Sequence, residues 1–75
     1  GDYSAAYASE QEALKIGGTG NPFVWLRLGQ SAFELGNAKQ ATDALLSAYM
    51  LEGDEIFEDE DPKYRGSLVQ QGLIS

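Results

Sequence analysis

The residues best suited to chemistry lie between Glu52 and Asp61, where seven carboxylates surround Ile56 and Phe57. Paired carboxylates act as acid and base only where an apolar pocket raises one of their pKa values. A charge run this dense reads instead as a solvated loop or short helix, with Ile56 and Phe57 turned inward as anchors. A calcium loop needs the spacing D-x-[DN]-x-[DN]-G, which the run lacks. Gly17, Gly18 and Gly20 offer a second chemistry, a backbone cradle for phosphate. No Lys-Ser or Lys-Thr follows them and no strand precedes them, so they read as a connector. The serines and threonines have no histidine to activate them, because the chain contains none. Lys15, Lys39 and Lys63 fall on polar faces, where an amine stays protonated. The expectation is a protein that is not an enzyme and uses no cofactor or metal.

Composition bounds the rest. A chain of 75 residues makes one domain and buries only about 60% of its unfolded surface. Twelve acidic residues against five basic give a net charge of −7. Phosphate backbones and anionic lipid repel such a chain, so nucleic acid and membrane are not expected partners. Basic or neutral protein partners are favoured. No cysteine is available for a disulfide or a thiolate metal site. No apolar run approaches the roughly 20 residues that span a bilayer, and no signal segment opens the chain. Gly1 stands where Met would, so it reads as an expression remnant or as the start of a piece of a longer protein. The expected location is cytoplasmic.

Four helices are needed to position these residues. The first is expected over 2–16, capped by Asp2. Tyr3, Ala6, Ala13 and Leu14 fall near one face, with Ala5, Tyr7 and Ile16 flanking. Asn21 and Pro22 start the second, over 22–35: a side-chain cap followed by a residue of preset φ. This helix is apolar nearly all round, which requires neighbours on more than one side. Gly36 can take a left-handed turn position and Asn37 can cap a third helix over 38–51. There Ala38, Ala41, Leu45, Ala48 and Leu51 share a face. Asp61 and Pro62 repeat the start signal for a last helix over 62–72, where Tyr64, Leu68 and Gln71 share a face. Gly66 and Gly72 weaken that helix by about 1 kcal/mol each against Ala.

The stretch from Pro22 to Gly53 holds Trp25, Leu28 and Gly29 at W-x-x-L-G, a break at Gly36, then Ala41, Leu45 and Ala48. It resembles a tetratricopeptide repeat, a helix–turn–helix unit of about 34 residues. Laying Gly1 on Gly36 matches Asp2 with Asn37, Ala6 with Ala41, Ala13 with Ala48 and Gly18 with Gly53. The resemblance thus implies an all-α antiparallel helical stack. It comprises a half-repeat over 1–20, a full repeat over 21–54, and an acidic loop with a capping helix over 55–75. The chain departs from the pattern at Ala32, Leu45 and Gly53, where the family favours an aromatic, an aromatic and a proline.

The resemblance also implies a function. First helices of such repeats line a groove that holds a segment of another protein. By position the groove-facing residues would be Phe23, Leu26, Arg27, Gln30, Phe33 and Glu34. Leu26 and Gln30 stand where a carboxylate clamp would carry Asn or Lys. The expected occupant is therefore an apolar segment, with Arg27 as the cationic contact and Phe23 and Phe33 as aromatic anchors. Trp25 and Leu28 read as core, while Leu26 and Phe33 fit core or groove equally. The alternative to partner binding is structural self-association into a homodimer or higher oligomer, driven by apolar surface left uncovered.

Overall fold

The computed structural model describes residues 3–17 and 20–74. It is all-helical: α1 (Tyr3–Lys15), α2 (Pro22–Glu34), α3 (Ala38–Glu52), a short 3-10 turn (Asp54–Phe57) and α4 (Pro62–Gln70). No strand occurs among the described residues. Asp2, expected to cap α1, and Gly18, expected in the connector, lie outside the described residues.

Local chemistry sets the helix ends. The Asn21 side chain accepts from the Phe23 amide at 2.9 Å, and Asn37 accepts from Gln40 at 3.3 Å. Asp61 accepts from Lys63 at 3.0 Å. Each cap satisfies an amide that has no partner within its own helix. Gly36 adopts φ +83° at the end of α2. Its amide bonds back to the Phe33 carbonyl and that of Asn37 to Ala32, which closes the last turn. Gly72 does the same for α4 at φ +74°, with Leu73 bonding back to Leu68. Gly72 therefore terminates α4 rather than weakening its interior, and the helix is shorter than the spacing predicted.

The central unit is the hairpin of α2 and α3. Gly29 brings the two helices together: a Cβ at that position would lie 2.6 Å from Leu45 Cγ. Leu28, Ala32, Ala44, Leu45 and Ala48 are fully buried around this approach. On α3 the buried stripe is Ala41, Ala44, Leu45 and Ala48. Ala38 and Leu51, expected on that face, are exposed. Leu26, Leu45 and Ala48 continue into one core with Ile56, Phe57, Tyr64 and Leu68. Ile56 and Phe57 thus anchor the acidic segment, as their place within the charge run suggests.

The helices α1 and α4 flank this unit. Contact of α2 with α1, α3 and the 3-10 turn explains why its sequence is apolar on several sides. The part of α1 turned inward is Ala6, Tyr7, Glu10, Ala13 and Leu14, all only half-buried. Tyr3 and Ile16 are exposed instead. Among the described residues, no helix is long and apolar enough to cross a membrane.

Candidate functional site

Phe23, Arg27, Gln30 and Glu34 recur along α2 at helical spacing and form one stripe. The stripe divides halfway. Phe23 is 59% exposed, and Arg27 is exposed one turn further on. Gln30 is buried, and its side-chain amide donates to the Glu60 carboxylate. Glu34 accepts from the Tyr64 hydroxyl at 3.1 Å and pairs with the Lys63 ammonium at 2.7 Å. Phe33 meets the Tyr64 ring edge-on, with centroids 5.3 Å apart and planes at 77°. The same ammonium lies 5.6 Å from the Phe33 centroid and 5.3 Å from that of Tyr64, within the range where a cation is attracted to a ring face.

The sequence assigned all six positions to a groove, and the structure divides them. Leu26 is not a groove residue: it is 1% exposed and belongs to the main core. It precedes Gly29 by one turn, so it faces α3 across the close approach. Gln30, Phe33 and Glu34 are engaged within the chain by Glu60, Lys63 and Tyr64. Of the six, Phe23 and Arg27 are exposed, while Phe33 and Glu34 are half-buried. Trp25, expected in the core, is half-buried against its edge, whereas Leu28 is fully buried.

Electrostatics follow the same contacts. The Lys63 hydrogen bond holds the Glu34 carboxyl below the usual carboxylate range, against an opposing cost of burial. The Glu34 bond raises the Lys63 amine. Burial, then the bond to Glu34, raises the Tyr64 phenol. These shifts favour the ordinary charge state of each of the three groups. The Asp54 carboxylate likewise holds the Arg65 side chain at 2.8 Å and raises its pKa.

Beside the open half of the stripe lies a cleft of about 420 Å³. Arg27, Gln30 and Ser31 of α2 form its floor. Tyr3, Ala6 and Glu10 of α1 form one wall, and Asp59, Glu60, Asp61 and Tyr64 form the other. Its chemistry is aromatic and acidic, with Arg27 as the counter-charge. A second hollow, of about 460 Å³, lies between the α2–α3 turn and α4, where Gln71 donates to Thr42 at 3.0 Å. Among the described residues no group of three or more Asp or Glu is gathered to hold a metal ion.

Sequence reasoning missed the α1 wall and the occupied half of the stripe. Glu34 and Tyr64 are thirty residues apart, and no local pattern links them. Comparison with known protein families, curated proteins and solved structures finds no significant match.

Proposed function

We propose that the chain is a protein-interaction module of tetratricopeptide type, without catalytic activity. It takes a segment of another protein along the open half of α2. The observation that carries this reading is the pairing of exposed Phe23 and Arg27 with the adjoining cleft. Phe23 supplies an aromatic anchor, and the carboxylates of the cleft wall attract a basic side chain. The occupant therefore combines an apolar residue with Lys or Arg, which fits the net charge of −7. The family reading is supported by the Gly29–Leu45 approach and by burial of Leu28, Ala41 and Ala48.

Selection of binders from a random peptide library tests this. The recovered peptides are expected to carry Lys or Arg beside an apolar residue. Phe23→Ala is expected to weaken them about tenfold, the loss typical of one anchor residue. Glu10→Gln with Asp59→Asn is expected to weaken them further. Peptides indifferent to all three changes would exclude the cleft as the binding site.

A further inference from the structure

Another hollow lies on the outer side of α4, away from the buried Tyr64 and Leu68. Pro62, Gly66 and Val69 run along it at helical spacing, and Phe57, Glu58 and Glu60 close it from the acidic segment. Its volume is about 460 Å³. Val69 is 39% exposed, and Glu58, Pro62 and Gly66 are exposed with it. Among the described residues, two glycines lie inside α-helices, Gly29 and Gly66. Each lowers helix stability against Ala. At Gly29 the loss has a use, since the missing Cβ admits α3 against Leu45. At Gly66 a Cβ would meet nothing within 4 Å, and the backbone there is not left-handed. Neither packing within the chain nor backbone geometry requires a glycine at that position. What Gly66 shares with Gly29 is a helix face bare enough for a second helix to approach closely.

We propose that this hollow seats a helix of another protein, packed closely on Gly66 with Lys or Arg beside Glu58. Charge selects the occupant. Between Asp54 and Gln70, six carboxylates stand against two cations. Both cations are already paired, Arg65 with Asp54 and Lys63 with Glu34. The other three belong to α1, α2 and α3, and none of them lines the hollow. The carboxylates at the rim, Glu58 and Glu60, thus exceed the cations that line it. A cationic helix complements that rim, and Pro62, Val69 and the edge of Phe57 take an apolar side chain from its face. A second copy docked symmetrically would set the same carboxylates against themselves. Glu60 also lines the cleft, but Glu58, Gly66 and Val69 do not. The proposal is therefore independent of the cleft and would stand if the cleft bound nothing.

The probe is a short synthetic helix of alanine, leucine and lysine in amphipathic order, compared with the same pattern carrying glutamate for lysine. Amide resonances of the labelled protein locate the contact by residue. The lysine peptide is expected to move those of Glu58, Gly66 and Val69, with affinity falling as salt rises, and the glutamate peptide to leave them in place. Gly66→Leu separates binding from stability. It fills the hollow where nothing else lies within reach, so it is expected to keep or raise the urea midpoint while weakening the peptide about tenfold or more. Glu58→Lys, at an exposed position, is expected to weaken it about tenfold. Phe23→Ala is expected to leave the shifts at Gly66 and Val69 within about twofold of the parent's affinity, since it acts at the cleft. The proposal is overturned by unmoved Gly66 and Val69 resonances, by equal response to both peptides, or by Gly66→Leu and Glu58→Lys variants that bind like the parent. Sedimentation of the parent as a dimer that Gly66→Leu dissolves would overturn it too, by giving the seat to a second copy.

Discussion

The two flanking helices reach the central hairpin by different means. α1 has thirteen residues, and none of its side chains is buried. α4 has nine residues, with Gly66 in its interior, yet it buries Tyr64 and Leu68. It is also tied across to α2 through Glu34 and to α3 through Gln71 and Thr42. By intrinsic propensity the order would be reversed: α1 is longer and rich in Ala, while glycine within α4 lowers its helicity. Attachment here depends on a few deep anchors rather than on helix length. A helix this short gains its order from docking.

Substitutions can break that contrast. Leu68→Ala removes the deepest anchor of α4 and is expected to cost about 2–5 kcal/mol, read by urea unfolding. A loss no larger than that of an exposed position would mean that α4 is not pinned by its core residue. Gly29→Ala, in the hairpin that both flanks depend on, is expected to cost about 1–3 kcal/mol. Its new methyl group would overlap Leu45. Unchanged stability would show that the helices separate freely and that the close approach is not required.

Smaller effects sharpen it. Leu14→Ala, in the half-buried stripe of α1, is expected to cost only about 1 kcal/mol, and to speed amide exchange in α1 while leaving α4 protected. Equal loss of protection in both helices would erase the distinction between them. Acid should act the other way. The folded pKa of Glu34 lies below its ordinary value, so its contribution is present at neutral pH and is lost as pH falls through the folded value. As pH falls below the ordinary carboxylate range, amide exchange in α4 is expected to rise before that in α1. Lys63 contributes with the opposite sign: its raised pKa keeps its share intact at neutral pH and loses it only at strongly alkaline pH. Glu34→Gln is expected to abolish the acid response of α4, and a response that survives would assign it elsewhere.

Much of this architecture was legible from local signals. Asn21, Asn37 and Asp61 start helices because a side-chain oxygen beside a free amide acts within two or three residues. Gly36 ends α2 for a similarly local reason. Ile56 and Phe57 stood out because two apolar residues in a charge run have few places to go but inward. The site was less legible. Leu26 and Phe23 are both apolar and one turn apart on α2, yet one is core and the other open. Only the position of α3 and the 3-10 turn separates them. The Tyr64 contact that covers Phe33 and Glu34 joins α2 to α4 from thirty residues along the chain, and on α3 Met50 is open while Leu45 is buried.

The sequence alone determined the four helices, the caps at Asn21, Asn37 and Asp61 and the acidic character of the surface, since each depends on residues near one another in the chain or on composition. Which apolar side chains are buried, which half of the α2 stripe stays open, and where an uncovered hollow is left were decided by tertiary packing. Burial depends on what lies across from a residue, and the elements facing these positions are brought there by folding from far along the chain.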